Sequence, residues 1–506
     1  MSAMPNTAAA GKLRVAGGAG APGYVTPAAT LDALRARRRV RRMVRDIVEG
    51  RWRRVLIDLQ MSQFRWPEIE SHSGTIQAML TKINVVRLAI DMHASVLVGT
   101  MPSIGVPGEF AEQRAALAGI AERSMLHALL LRAARKLTAE AECAVRVDAS
   151  AGVALTEEDN ERCLPVGPDG PDGQPSVWER RWLIEREIGR RVDRYLRVER
   201  HIVRGGRGVV EQEAYLTDSV DVIQDLASLE RVGLARAIGA EAAAATPELA
   251  ETGAERPLVV RMVHAYADGE PVFLLGEHDL DLVDSATAAV TSLARTHKLH
   301  ATPKVRVPDH MVDRRTGRVN LSEDAVTDPD RVYEYITVDA KLGDMLDYMD
   351  RMLGVLLVVL RVSQALIGVK LGGGATPDSY DKLRLEATNT LAHARAAAAY
   401  VGPALGRVLT IASQVESAMP MRGYAVAPVS VKMRPQLPRD QVEIAREQRE
   451  LLEAGLTDRR SALAEIHGED EADARLAAVE RDLDEATRRQ RDAVFAAVPT
   501  AEGGET

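Results

Sequence analysis

Three groups of residues in this chain have the types and spacing to do chemistry. The first is the glycine-rich stretch GVKLGGGATPDS, residues 368–379, which follows a long apolar run and precedes a helical pattern. A glycine turn ahead of a helix can hold phosphate, because free backbone N–H groups and the helix dipole both point at the anion. The complete phosphate loop requires G-x-x-x-x-G-K-[ST] after a strand. Gly368 and Gly373 have that spacing, but Gly374 and Ala375 stand where Lys and Ser/Thr are required. The preceding element reads as a helix, so the dinucleotide fingerprint fails as well. Neither a nucleotide nor any other cofactor is expected here.

The second group is carboxylate. DMLDYMD sets Asp344, Asp347 and Asp350 roughly along one helix face, either as solvated acids or as an acidic lining facing a polyanion. GEHDLDLVD gathers Glu277, His278, Asp279, Asp281 and Asp284. Such a cluster could hold Mg²⁺, but acids also favour a helix N-terminus through the backbone dipole, and that reading is preferred. His297 and His300 in HKLH have no third ligand nearby, so no metal is expected. The third group is basic: RARRRVRRMVRDI and RWRR fall in a helical pattern over residues 26–55. They make a solvated helix face or a contact for DNA or an acidic partner. The chain has no Gly-x-Ser-x-Gly elbow, and nothing marks a cysteine nucleophile.

Composition bounds these readings. The 506 residues are enough for more than one domain, with 46% hydrophobic and 27% charged residues. A net charge of −8 argues against a protein that grips nucleic acid over its whole surface. Cys143 and Cys163 are too few for a disulfide framework. The apolar run at residues 352–371 approaches membrane-spanning length, but Arg361, Ser363 and Gln364 sit in its middle. A charge at mid-bilayer costs roughly 3 kcal/mol, so a helix buried among protein neighbours is expected.

The periodicities predict an α+β chain, mainly α-helical. Helices are expected over residues 26–55, 80–99 and 109–140, then strands from CAVRVDAS onward. LPVGPDGPDGQPS reads as a Pro/Gly linker. Gly205-Gly206 marks a β-hairpin, and Asp268-Gly269 a second one. The low-complexity residues 234–257 read as a surface insertion. A helix from Asp279 carries Leu282, Ala286, Ala289, Val290 and Leu293 on one face. A turn-rich β module follows, then a long helix over residues 340–367. After the glycine loop a helix over residues 379–413 contains Gly402-Pro403, where a kink is expected. Three helices close the chain at 440–454, 458–467 and 471–497, with Thr457 as a cap for the second. They could be mistaken for a DNA-reading motif, but the third opens EDEADAR, which would repel a DNA groove.

The order of these parts resembles the portal proteins of tailed double-stranded DNA bacteriophages. The segments that carry the resemblance are KINVVRLAIDMHASVLVGTMP and DLDLVDSATAAVTSL, the β-rich insertion ending VYEYITVD, and the long apolar helix with its glycine loop. SYDKLRLEATNTLAHARAAAAYVGPAL and VKMRPQLPRDQVEIAREQRELLEAGLTDRRSALAEI complete it. The likeness spans about residues 30 to 490 and lies in the order rather than in any single motif. Many relatives have a Ser-Gly pair ahead of the helix where this chain has Ser379-Tyr380.

The resemblance implies a closed ring, usually of twelve copies, at one capsid vertex of the virion, assembled in the host cytoplasm. It conducts double-stranded DNA without sequence specificity during packaging and ejection, and is not an enzyme. Residues 26–278 and 379–433 would form the wing, 279–297 and 339–367 the stem, and 298–338 the clip. Residues 368–378 would be the tunnel loop and 434–497 the crown, with disordered ends at 1–25 and 498–506. The DNA-facing residues would be Val369, Lys370, Leu371, Gly372, Gly373 and Gly374, with Lys370 touching phosphate transiently and Arg361 a second cation on the wall. Asp344, Asp347 and Asp350 would give the stem its acidic face, and Arg314, Arg315 and Arg318 the clip its partner contact. Partners implied are further copies of the chain, the major capsid protein, the terminase large subunit, the head-tail adaptor and a scaffold protein. The alternatives are another head-morphogenesis or connector protein, or a phage DNA-processing enzyme such as a terminase or nuclease.

Overall fold

The computed structural model describes residues 27–51, 84–150, 152–170, 172–188, 191–267, 270–276, 304–306, 334–336, 342–367, 380–420, 422–437, 441–467 and 469–496, with most positions between 279 and 293. About 51% is helical and 21% strand, so the chain is mixed α+β. It divides into two compact units, residues 1–436 and 437–506.

The first unit opens with α1 (Ala28–Val48) and α2 (Val85–Leu97), the latter capped by Asn84, whose side chain accepts from the Arg87 N–H. After β1 (Ser103–Gly105) come α3 (Ala111–Arg123) and α4 (Leu126–Glu140). The single helix expected over residues 109–140 is therefore two. Met125 takes a left-handed φ of 44°, and the Ser124 hydroxyl donates to Ile120 O while accepting from the Leu155 N–H. That tie to a strand fixes the break.

Strands β2 (Glu142–Asp148) and β3 (Ala154–Glu157) follow. Then come β4 (Cys163–Pro165), β5 (Trp178–Ile188), β6 (Arg191–Arg204) and β7 (Arg207–Leu216). The β6–β7 hairpin is as expected: Gly205 and Gly206 have φ of 57° and 79°, the two positive values a tight type I′ turn requires. Two expectations fail here. The proline- and glycine-rich stretch at residues 164–176 is no linker. Gly170 N–H donates to Gln174 O, and the Gln174 amide exchanges two hydrogen bonds with the Arg261 backbone. The loop thus docks on a strand edge. Residues 234–257 are no loose insertion either. They hold α5 (Leu234–Ile238), α6 (Ala240–Ala244) and β9 (Leu249–Glu251), after β8 (Glu230–Val232). Leu234, Ala237, Ala250 and Ala254 are buried.

The hairpin expected around residues 268–269 is present but short: β11 (Tyr266–Ala267) pairs with β12 (Glu270–Pro271). β10 (Val259–Val263), which precedes it, pairs antiparallel with β2 instead. The sheets are β10-β2-β3 and β4-β5-β6-β7-β8, with β9 on β7. Described positions between 279 and 293 are helical. The buried face there is Leu280, Val283, Ala286 and Val290, while Leu282 and Ala289 are half-buried. β13 (Lys304–Arg306) and β14 (Glu334–Ile336) form an antiparallel pair.

α7 (Leu342–Val359) and α8 (Gln364–Ile367) replace the unbroken helix expected over residues 340–367. Next come α9 (Tyr380–Glu386) and the 30-residue α10 (Thr388–Ser417), with Pro403 inside it. Among the described residues only α10 is long and apolar enough by composition to cross a bilayer, and 61% of its most apolar stretch is buried in the fold. β15 (Ser430–Lys432) pairs with β1.

One core is built by α2, α3, α4, α10 and the β10-β2-β3 sheet. A second joins the end of α1 (Met43, Val44, Ile47) and Ile90 of α2 to Leu280, Val283 and Ala286 and to Leu356, Leu357, Leu360 and Val362. A third seats Leu31 and Leu34 of α1 against Leu196, Val198 and Tyr215 of the larger sheet.

The second unit holds α11 (Gln441–Glu453), α12 (Arg459–His467) and α13 (Glu469–Ala496). Asp458, not Thr457, starts α12: its carboxylate accepts from the Ser461 N–H at 2.9 Å. Most described residues of α13, Val479 and Leu483 included, are exposed.

Candidate functional site

The acidic row lies on α7. Asp344 and Asp347 are exposed and Asp350 is half-buried, and none of the three makes an ion pair among the described residues. The same helix is apolar on two sides. Leu356 and Leu357 are buried, whereas Val355 and Val358 are 52% and 69% exposed. Leu346 and Tyr348 are exposed as well. The glycine-loop residues Val369, Lys370, Leu371, Gly372, Gly373 and Gly374 lie outside the described residues. So do Arg314, Arg315 and Arg318, and Glu277, His278, Asp284, His297 and His300. Asp279, at the start of its helix, accepts from the Gly276 N–H through its carboxylate.

The end of α7 is the most heavily built place near these residues. Arg361 has a φ of 54°, a left-handed conformation that strains a residue with a Cβ by about 1–2 kcal/mol. The Val362 N–H donates to Leu357 O and the Arg361 N–H to Val358 O, both at 3.0 Å. These two bonds define a helix stop in which glycine normally takes the left-handed position. Val362 and Leu357 are both buried in the second core, the apolar contact that accompanies such a stop.

Side chains from distant elements hold this stop. Thr390 of α10, wholly buried, donates its hydroxyl to Arg361 O and accepts from the Ser363 N–H, each at 3.0 Å. One hydroxyl thus satisfies two backbone groups that the helix break frees. His93 of α2 donates from Nε2 to Leu360 O at 2.7 Å. The Arg361 guanidinium lies 3.2 Å from Nδ1 of His393 on α10. Arginine can only donate, so that nitrogen must accept and His393 is neutral. The exposed Arg361 is therefore engaged by α10 rather than left as a lone cation.

Three imidazoles meet here. His93 and His393 stack edge to face with centroids 4.9 Å apart, and His264 and His393 do so at 5.6 Å. His264 donates from Nδ1 to Leu137 O. Burial disfavours the charged form in all three, and Arg361 adds repulsion. His264 is pushed down to about 4 and His393 to about 3. Nδ1 of His93 is buried without a hydrogen-bond partner among the described residues.

The basic helix resolves into a different site from either expectation. Its arginines meet acids of this same chain. Arg45 pairs with Glu140 and Glu161, Arg42 and Arg38 with Glu161, Arg38 with Asp221, and Arg37 with Glu270. Arg41, 1% exposed, pairs with the buried Glu142. Burial alone would raise the Glu142 carboxyl, but Arg41, Arg37 and Arg261 hold it below its ordinary value. A groove of about 350 Å³ remains on this face, lined by Arg35, Arg38, Arg39, Arg42 and Asp221.

Sequence reasoning missed the junction entirely. Its residues are far apart in the chain, and the only local signal was the polar Arg361, Ser363 and Gln364 inside an apolar run. No protein-family model matches this chain, and no curated protein matches it.

Proposed function

We propose that the chain is a ring-forming conduit for double-stranded DNA, of the portal type of tailed bacteriophages. The observation that carries this reading is the arrangement of two helical segments around a β pair. Leu280, Val283 and Ala286 of the first segment share one core with Leu356 and Leu357 of α7 and with Leu360 just beyond it. Between the two in sequence lie β13 and β14, paired with each other. A helix, a small β module and a returning helix are what a stem carrying a clip requires.

Two further features support it. A closed ring of head-to-tail copies needs two different faces on each subunit. α7 offers a buried face toward its own core and a second apolar face, Val355 and Val358, for a neighbouring copy. The helix also carries the acidic row Asp344, Asp347 and Asp350. Each phosphate neutralised by Lys or Arg strengthens binding, so a wall of acids suits DNA that must pass without being held. On this reading Lys370 meets phosphate only in passing. Arg314, Arg315 and Arg318 meet the packaging motor and then the head-tail adaptor, while other surfaces meet capsid and scaffold protein at the vertex of the virion.

Electron microscopy of the purified full chain tests the proposal. The expected result is rings with a central channel wide enough for duplex DNA. A chain that stays monomeric at all concentrations, or that assembles without a channel, overturns it.

A further inference from the structure

The junction at the end of α7 brings together a strained arginine, a helix stop and three histidines from three different elements. None of these is explained by conduction of DNA. One of the buried imidazoles, His93, has a nitrogen with no hydrogen-bond partner among the described residues.

The charges around the trio decide what it can do. Arg361 is the charged group that faces it among the described residues, and no carboxylate does. Asp91 of α2 is turned to Arg135 at 2.8 Å, and Glu140 of α4 to Arg45 at 2.9 Å. Lys136 of α4 pairs with Glu157. Among the described residues, His264 reaches the cluster from the end of β10 and His393 from α10, which also carries the neutral Thr390. A proton taken up here therefore meets no compensating negative charge.

We propose that residues 360–363 form an acid-released hinge, locked to α2 and α10 while His93, His264 and His393 are neutral and opened when they take up protons. A proton from water adds to the lone pair on Nδ1 of His393, which is half-buried and next to the exposed Arg361. The acceptor becomes an N–H donor facing the Arg361 donors, with two positive charges at a separation of 3.2 Å. Protonation at Nδ1 of His93 creates a buried donor with no acceptor among the described residues. Opening exposes both rings to water, where a histidine has its ordinary affinity for protons. The hinge belongs to a single chain, so the proposal stands apart from the ring reading.

The closed form disfavours protons and the open form does not. Acid below the ordinary histidine value of 6.5 therefore favours opening. Each histidine that gains a proton on opening multiplies the opening constant by about tenfold per pH unit. The test is hydrogen exchange by mass spectrometry on the full chain at pH 7.5, 6.5 and 5.5, corrected for the intrinsic exchange rate. Protection of the Arg361, Val362 and Ser363 amides should fall by about tenfold or more per pH unit below 6.5, while β2 stays protected. In the triple variant His93→Gln, His264→Asn, His393→Asn the side-chain amides replace the imidazole donors and acceptors without titrating, and protection should stay level. Should that variant not fold, Arg361→Gly removes one of the two like charges, so the closed form takes up protons more readily and the fall becomes smaller. Unchanged protection in the wild type across this range overturns the proposal. So does an equal fall in the triple variant or an undiminished fall in Arg361→Gly. A simultaneous loss of protection in β2 overturns it as well, since the event would then be global unfolding.

Discussion

The guanidinium of Arg41 on α1 is paired with the carboxylate of Glu142 on β2, and both side chains are shut off from water. Arg41 also donates to the backbone oxygens of Glu140 and Asn160 at 3.3 Å. It thus holds the first helix against the start of the smaller sheet. Arg37 and Arg261 stand 3.8 and 3.9 Å from the other Glu142 oxygen.

Removing Arg41 leaves a buried carboxylate short of its closest partner. Breaking such a pair typically costs 3–5 kcal/mol, and Arg37 and Arg261 compensate in part, so Arg41→Met should lose about 3 kcal/mol. Arg42→Lys, at a solvent-facing position of the same helix, should change stability by under about 1 kcal/mol. Urea denaturation of both variants measures the contrast. Equal effects would mean that the basic helix is held by its surface charges and not by the buried pair.

Gly406 of α10 lets the chain around β15 lie directly on the helix. A Cβ there would sit 2.5 Å from Val429 O, whereas one at Gly402 would sit 3.1 Å from Val431 O. Overpacking a close contact costs typically 1–3 kcal/mol. Gly406→Ala should therefore destabilise by about 2 kcal/mol and Gly402→Ala by clearly less. Thermal melts of the two variants read the order, and a reversed order contradicts the backbone approach described here.

The Thr390 hydroxyl serves two backbone groups of the helix break. Thr390→Val keeps the shape and leaves Arg361 O and the Ser363 N–H unsatisfied, a loss of about 1–3 kcal/mol for a buried group. Thr390→Ser retains the hydroxyl and should recover most of it. The two variants differ chiefly in whether an oxygen is present, so chemical denaturation of the pair separates the hydrogen bonds from the packing.

How much of this was legible in the sequence follows from where each instruction is written. The α11–α12 turn and the end of α7 use the same helix stop. At the first, the Leu456 N–H donates to Leu451 O, with Gly455 at φ 67°. Glycine is the residue that conformation favours, so the helix end expected at residue 454 could be read directly. At the second, Arg361 carries the left-handed angle, and the reasons are Thr390, 27 residues beyond its partner Ser363, and His93, 267 residues before its partner Leu360. No window of local sequence contains them. The basic helix failed for the same reason. Its charge was visible, but Glu142 and Glu161 stand 101 and 119 residues further on. The Gly205-Gly206 hairpin succeeded because the turn and both strands are contiguous. The tunnel-loop and clip residues named from the resemblance lie outside the described residues.

Acid should weaken the fold through His264. Its value in the fold is about 4, against an ordinary 6.5. The folded form holds the neutral ring, so the contribution is fully present above pH 6.5. It declines as pH falls toward 4, and below that value both states are protonated and nothing more is lost. The gap corresponds to roughly 3 kcal/mol across the window. His264→Asn, which keeps a donor for Leu137 O, should flatten the decline between pH 6.5 and 4. Stability measured by denaturant at half-unit pH steps checks both the window and its removal.

The exposed apolar side of α7 separates a ring from a lone subunit. Val355 and Val358 lie outside the cores of the chain, so their replacement has little to disturb within it. A surface substitution of this kind usually changes stability by within about 0.5 kcal/mol. In a ring the same positions would be covered by the next copy, where an unpaired charge is expensive to bury. Val358→Glu should therefore leave the melting temperature of the isolated chain nearly unchanged while preventing rings from forming. Val358→Ile should assemble as the wild type does. Mass measurement in solution alongside the melts gives both readings. Rings that persist in Val358→Glu would place this face on the outside of the assembly and require the neighbouring copy to be held elsewhere.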